Sequence, residues 1–188
     1  MKTPTVLILP GWQNSGPTHW QSLWQQQAGY VRVEQHDWLR PLRGDWITRL
    51  EDVVLSVDAP VVLVAHSLGC QLVAAWAGIS HHTQRVKGAL LVAAADVACA
   101  ELREVLPSWS PLVLKQLPFQ STLVVSQDDP YCSLARSHEF AQAWGAAVVN
   151  IGAAGHINAD AGLGDWPQGQ ALLQHIISIS DEPKDTPW

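Results

Sequence analysis

Short, almost wholly apolar runs recur along this chain, and segments with helical spacing lie between them. Five runs are clear: TVLIL, VVLVA, ALLVAA, TLVVS and AVVNI, at positions 5–9, 61–65, 89–94, 122–126 and 147–151. Apolar side chains occupy both odd and even positions of these runs, which is typical of strands covered on both faces in a parallel sheet. A sixth run, VRVEQ at 31–35, alternates in polarity and predicts a strand nearer an edge.

The segments between the runs place apolar residues three and four positions apart, as an amphipathic helix requires. The clearest stripes lie at 46–54, 68–79 and 172–177, and Pro167 before the last one suits the first turn of a helix. Strands that alternate with helices predict an α/β fold. We expect a mostly parallel sheet of about six strands with helices on both faces.

Only one segment interrupts this alternation. Residues 96–120 carry three prolines and one short helical stretch, near 100–106, between two predicted strands. Connections of this length in a compact domain are usually functional covers or disordered segments, so we expect a short lid here. A chain of 188 residues suits one domain, which we place at 1–180, with a loose tail at 181–188.

Charge and cysteine content argue against several classes of protein. The net charge of −6, without any run of Lys or Arg, argues against a nucleic-acid partner. The first apolar run ends at Pro10, too early for a signal peptide or a membrane span, so we expect no membrane association. Three cysteines without metal-ligand spacing indicate reduced thiols in the cytoplasm, and we expect neither a metal nor a cofactor.

Ser67, in the sequence VAHSLGC, directly follows the most apolar of the predicted strands. In an open parallel sheet, ligands bind beyond the carboxyl ends of the strands, so this serine falls where a site would form. A nucleophile elbow needs small residues two positions before and after the serine, and Ala65 and Gly69 occupy them here. A serine that only caps the next helix would give the same local pattern.

Two later loops supply an acid and a base in the chain order Ser, Asp, His that such an elbow requires. Asp128 and Asp129 follow the fourth apolar run, and His156 follows the fifth within the glycine-rich sequence GAAGHIN. One aspartate would serve the Asp-Pro turn and the other the histidine. Asp96 also ends a predicted strand and is an alternative acid.

Four motifs in register resemble those of a known family: PGWQNSG near the N-terminus, AHSLGC, SQDDPY and AGHINA. The chain resembles the α/β-hydrolase superfamily from about Leu9 to the last helix, and within it the small serine hydrolases of the retinoblastoma-binding-protein-nine and YdeN-like type. In that family the catalytic aspartate directly precedes proline, which implies Asp129. The chain departs from the superfamily pattern at Ala65, which replaces a glycine, and at Cys132-Ser133, which replace a frequent Val-Pro pair.

The expected nucleophile is therefore Ser67, with His156 as its base and Asp129 as the acid that orients the imidazole. The expected reaction is hydrolysis of a small ester-type substrate, a carboxylic ester or else a thioester or amide, through an acyl-enzyme. The substrate would be a small acyl compound.

The oxyanion of such a reaction needs two preorganised donors. The N–H of Leu68 directly follows the nucleophile, and PGW resembles the superfamily's oxyanion loop, which implies the N–H of Trp12 as the second donor. The expected pocket residues are Gln13, Trp20, Trp109 and Tyr131. Three of these side chains are aromatic and none carries a charge. Such a pocket favours compact, apolar or aromatic groups.

Four alternatives remain open at this point, and one of them is peptidase, thioesterase or acyltransferase activity, which shares the same triad and differs from ester hydrolysis only in its pocket. The first is a non-catalytic protein-binding module that keeps a hydrolase fold, because a fold does not fix a function. A cysteine nucleophile is disfavoured because Cys70 lies within a predicted helix beside the core and no group activates Cys132. A metal site is the weakest alternative, since adjacent His81 and His82 would point in different directions on a helix. The sequence predicts no particular oligomeric state.

Overall fold

The computed structural model of the protein describes residues 2–27 and 29–179, so the predicted tail at 181–188 lies outside the described residues. Six strands are present: β1 (Thr5–Leu9), β2 (Tyr30–Arg32), β3 (Val61–His66), β4 (Val86–Val92), β5 (Gln120–Val125) and β6 (Ala147–Asn150). They form one sheet in the order β2-β1-β3-β4-β5-β6, and every neighbouring pair is parallel. The assignment of one domain to 1–180 stays a prediction.

Helices connect the strands, as the alternating sequence pattern predicts. They are α1 (Trp20–Gln25), α2 (Arg43–Ser56), α3 (Leu68–Ala77), α4 (Ala100–Val105), α5 (Leu134–Trp144) and α6 (Pro167–Ile179), with short 3-10 helices at Thr83–Arg85, Pro107–Trp109 and Ala159–Ala161. The predicted α/β fold is confirmed. Within the described ranges, no helix has the length and apolar character that crossing a membrane requires.

The sheet separates two apolar clusters, one on each face. On β3, Leu63 and Ala65 belong to the first cluster, together with residues of α2, α3 and α5, whereas Val62 and Val64 belong to the second, with α1 and α6. Both clusters bury tryptophans: Trp46, Trp76, Trp109 and Trp144 in the first, and Trp20, Trp24 and Trp166 in the second. Burial on both faces explains why β1, β3 and β4 are apolar at odd and even positions alike. The same expectation is wrong for β6, which lies at an edge of the sheet and is exposed at three of its four positions.

The chain leaves β1 in one direction towards β2 and then returns to its other side as β3, so the topological switch point of the sheet lies between β1 and β3. Ligand sites of open α/β sheets form at this point. The fully buried side chain of Gln21 joins the two strand ends there, because its Nε2 donates to Leu9 O and Val64 O, each at 3.2 Å. Its Oε1 accepts from the hydroxyl of Ser15 at 2.8 Å.

The Cys132-Ser133 pair, where the superfamily pattern often has Val-Pro, starts α5. The hydroxyl of Ser133 caps this helix by accepting from the N–H of Arg136, and Gly145 ends it in the left-handed region at φ +69°. A serine cap therefore stabilises the helix start at this position, where proline would act by its fixed φ.

Candidate active site

Three polar side chains from three strand ends meet at the carboxyl edge of the sheet. Ser67 follows β3, Asp129 follows β5 and His156 follows β6. The Oγ of Ser67 lies 2.8 Å from Nε2 of His156, and Nδ1 of the same ring lies 2.9 Å from both carboxylate oxygens of Asp129. Only 9% of the His156 side chain and 3% of the Asp129 side chain are exposed, so water hardly competes for these contacts.

The backbone at Ser67 has φ +55° and ψ −120°, a conformation that non-glycine residues rarely adopt. Ser67 makes no side-chain cap bond to α3, so the helix-cap alternative does not describe this hydroxyl. The turn is also crowded, because a Cβ at Gly69 would collide with the carbonyl oxygen of Leu9. A Cβ at Gly11 would lie 2.8 Å from the Cβ of Ser67. Two glycines thus allow the loop after β1 to approach the serine.

The neighbouring Asp128 has a different role from Asp129. Its Oδ1 accepts from the hydroxyl of Ser126 and from the N–H of Gly155, each at 2.8 Å. These hydrogen bonds lower the pKa of the Asp128 carboxyl. Asp128 therefore fixes the glycine-rich loop that carries His156.

Asp96, the other alternative acid, does not reach the histidine ring by any hydrogen bond in the described residues. Its Oδ2 pairs with Nε of Arg136 at 3.2 Å, and its Oδ1 accepts from the N–H of Ala98. Its own N–H donates to the carbonyl of Tyr131. Asp96 thus links the start of the 96–120 segment to α5.

Two backbone N–H groups beside Ser67 have no acceptor among the described residues: those of Trp12 and Leu68. The N–H of Gln13, by contrast, donates to Trp38 O at 3.0 Å and is not available to a ligand. Leu68 N lies close to Gly11, because a Cβ at Gly11 would be 3.3 Å from it.

The loop that carries Trp12 is held in an unusual conformation. Gln13 and Asn14 both lie in the left-handed region, at φ +67° and +65°. The side-chain oxygen of Asn14 accepts from the N–H of Ser15 and from Nη1 of Arg32, at 2.8 and 2.6 Å. A side-chain network anchored on β2 therefore sets the backbone directions at this end of the site.

A cavity of about 320 Å³, the first cavity, opens beside Ser67. Trp12, Gln13 and Tyr131 line it. Trp20 and Trp109 do not line it, so the prediction that they are pocket residues is wrong. Each side chain is only 1% exposed. The indole N–H of Trp20 donates to Ile157 O and that of Trp109 donates to Pro41 O, both within the packed interior.

Several residues that line the first cavity were not predicted from the sequence, namely Asn14, His19, Leu102, Leu106 and Asn158. One local signal was available for the two leucines, which lie four residues apart at the helical stretch of the 96–120 segment and so share a face. The polar residues lie on loops without a repeating pattern.

Three histidine rings lie in a row at the site. The ring centroid of His66 is 4.8 Å from that of His19 and 4.9 Å from that of His156, and Nε2 of His66 donates to the His156 carbonyl at 2.9 Å. Burial lowers the pKa of His66 well below its usual value and, with the charges of Arg32 and His156, lowers that of His19 to about 4. Both rings are neutral near pH 7 and add no charge to the cavity.

Neither Cys70 nor Cys132 is activated. Burial raises the pKa of the Cys70 thiol strongly and that of the Cys132 thiol to about 11, so neither is a thiolate at neutral pH. Across the described ranges, no group of three His, Cys, Asp or Glu side chains is arranged to hold a metal ion.

The chain is similar in sequence and in fold to known hydrolases. A family model described as serine hydrolase matches residues 6–175. No curated protein sequence gives a significant match. A structure from Pectobacterium atrosepticum described as a YdeN-like hydrolase has 28% identity and a TM-score of 0.84, covering 95% of this chain and 92% of that one.

Two further structures share the fold at lower identity. The ydeN gene product of B. subtilis has 21% identity and a TM-score of 0.79, over 94% of this chain and 100% of that one. Est1E from Butyrivibrio proteoclasticus, solved with ferulic acid bound, has 12% identity and a TM-score of 0.69, over 95% and 88% of the two chains.

Proposed function

We propose that this chain, which belongs to the serine hydrolase family and has a YdeN-like α/β-hydrolase fold, cleaves small carboxylic esters through a catalytic triad and an acyl-enzyme. The triad would be Ser67, His156 and Asp129. The observation that carries the proposal is the unbroken line of hydrogen bonds from the Ser67 hydroxyl through the imidazole to a buried carboxylate.

Each triad member has a defined task in this proposal. Ser67 Oγ attacks the acyl carbon while its proton moves to Nε2 of His156. Asp129 accepts the hydrogen bond from Nδ1–H, which fixes the tautomer and stabilises the imidazolium. His156 then gives its proton to the leaving oxygen as the carbon–oxygen bond breaks. Water, deprotonated by the same ring, then attacks the acyl carbon, and the imidazolium returns this proton to Ser67 Oγ as the bond between Oγ and the acyl carbon breaks and the acid leaves.

The unpaired N–H groups of Trp12 and Leu68 are the proposed oxyanion hole. Both are free to donate and lie beside the nucleophile, which is what charge development on the carbonyl oxygen requires. Gln13 also lines the first cavity, but its N–H is not a candidate donor because it is already bonded to Trp38 O.

The size of the first cavity suits a compact acyl group. Its volume of about 320 Å³ is near the lower limit for small-molecule pockets. Leu102 and Leu106, from the 96–120 segment that we propose as a lid, give it an apolar wall. The free thiols of the chain support a reducing, cytoplasmic location.

A fluorophosphonate probe, read by intact mass, tests the proposal directly. The wild type should gain one adduct, and Ser67→Ala should gain none. Ser56→Ala, which removes an exposed hydroxyl at the end of α2, is the matched control and should label like the wild type. A folded wild type that takes no label would overturn the proposal and favour the non-catalytic binding module.

A further inference from the structure

A second cavity, of about 490 Å³, adjoins the first. Tyr131, His156 and Asn158 line both cavities, so the residue that carries the proposed base borders each of them. The ring of Tyr131 lies across the same imidazole, with centroids 4.6 Å apart. A ligand bound at Ser67 could therefore occupy both cavities at once.

The chemistry of acyl transfer assigns different parts of the substrate to the two spaces. The carbonyl group must lie in the first cavity, beside Ser67 and the free N–H groups of Trp12 and Leu68. The leaving oxygen must lie next to His156, because this ring supplies the proton that completes the departing alcohol. The rest of the alcohol then extends past His156, where the second cavity begins.

The residues that line the second cavity have mostly small side chains, and the charge among them is negative. Its floor is formed by residues with little or no side chain: Ala153, Ala154, Gly155 and Ala161. The carboxylate residue Asp160 also lines it, and no lysine or arginine lines either cavity in the described part of the chain. A negatively charged leaving group finds no counter-charge there, whereas a positively charged one finds Asp160 and the exposed ring of Tyr131.

We propose that the second cavity is the leaving-group subsite, and that it accepts neutral and positively charged alcohols and selects against anionic ones. This inference rests on the proposed function. The expected substrates are therefore esters of neutral or positively charged alcohols, rather than thioesters of phosphorylated thiols, whose leaving groups are negatively charged.

Three butyrate esters of similar shape test the charge preference: butyrylcholine, 3,3-dimethylbutyl butyrate and 2-sulfoethyl butyrate, with cationic, neutral and anionic leaving groups. The order of kcat/KM should be cationic, then neutral, then anionic, with at least about a tenfold difference between the two charged esters. The difference should shrink in 0.5 M salt, because ions screen an exposed carboxylate. Equal kcat/KM values for the three esters would overturn the inference.

The variant Asp160→Asn tests whether this residue sets the preference. It should lower the ratio of kcat/KM for butyrylcholine over the neutral ester by about threefold to tenfold. Asp58→Asn removes the same charge from an exposed position before β3, at the opposite edge of the sheet, and should leave the ratio unchanged. If Asp160→Asn and Asp58→Asn changed the ratio equally, the preference for cationic esters would come from the net charge of the protein. The role of Asp160 in the second cavity would then be overturned.

A steric variant tests the subsite without charge. Ala161→Leu should reduce the ratio of kcat/KM for 3,3-dimethylbutyl butyrate over methyl butyrate by about tenfold, because the methyl ester leaves the second cavity empty. Ala153→Leu, on the same wall, provides an independent copy if the first variant is unstable. Unchanged ratios in both folded variants would show that the alcohol lies elsewhere.

Labelling separates failure of this inference from failure of the proposed function. If Ser67 takes the fluorophosphonate and the esters are hydrolysed, but neither ratio moves, only the leaving-group subsite is overturned. If the folded protein neither labels nor hydrolyses any of the esters, the proposed function falls and the inference falls with it.

Discussion

Asp128 and Asp129 are adjacent in the chain but have different partners, and a matched pair of variants separates their roles. Asp129→Asn should lower kcat by about 10³- to 10⁴-fold, because an amide favours the wrong tautomer of His156. Asp128→Asn should cost less than about tenfold, since an amide oxygen can still accept from Ser126 and Gly155. Steady-state hydrolysis of a nitrophenyl ester measures both. Near wild-type turnover in Asp129→Asn would show that the acid is assigned wrongly.

His19 makes the stability of the fold depend on pH. Its pKa is about 4 in the folded protein against an ordinary value of 6.5, so the neutral ring favours the folded state. This contribution is complete above about pH 6.5 and is lost as the pH falls towards 4. The loss reaches about 3 kcal/mol, at roughly 1.4 kcal/mol per pH unit.

Urea unfolding at pH 7 and pH 4.5 measures this loss. His19→Asn is the matched variant, because asparagine can still cap α1 as the Nδ1 of His19 does but does not titrate. The decrease in unfolding free energy between the two pH values should be about 2 kcal/mol smaller in the variant. The same decrease in both proteins would show that other groups cause the acid sensitivity.

Individual residues differ in how well the sequence predicts their surroundings. The positions of Ser67, Asp129 and His156 could be predicted to converge because each follows an apolar run, and parallel strands end at the same edge. The environment of Trp20 could not, since its indole N–H donates to a carbonyl 137 positions away. Trp109 likewise has its partner 68 positions away, which no local pattern indicates.

Among the secondary-structure elements, β1 and β3 pair through their backbones, and the Gln21 side chain adds two hydrogen bonds at their carboxyl ends. Gln21→Leu should lower the free energy of unfolding by about 2–4 kcal/mol, because it leaves the carbonyls of Leu9 and Val64 without their Nε2 donor in a dry interior. Gln142→Leu, at an exposed position of α5, is the control and should stay within about 0.5 kcal/mol of the wild type. Urea titrations that shift by equal amounts would contradict this role of Gln21.

The elements themselves were largely predictable, and the exceptions have physical causes. All six predicted strands are present in the described residues, but β4 begins at Val86 rather than at 89, because Val86 and Gly88 still pair with β3. β2 is confined to Tyr30–Arg32 at the sheet edge, where it pairs with β1 alone. The six-residue helix α1 gave no periodic signal, since it is too short for one and follows Gly16-Pro17.

At the scale of the whole molecule, both apolar clusters depend on the same strands, so the described fold should unfold as one unit. Leu50→Ala in the first cluster and Leu173→Ala in the second should each destabilise by about 2–5 kcal/mol. In each variant, tryptophan fluorescence and far-UV circular dichroism should shift together in urea. Two separated transitions in either variant would show that one face of the sheet is independent of the other.

The strand ends that meet at the site come from segments of the chain that are made at different times. Ser67 and His156 are 89 positions apart, and at about 5–20 residues per second the ribosome makes the serine roughly 4–18 s before the histidine. During this interval the nascent chain carries a serine without a base, and an unassisted hydroxyl is a weak nucleophile. In the proposed mechanism, a nascent chain that ends before His156 therefore cleaves no ester, and activity begins only after this residue has been made and has folded against Ser67.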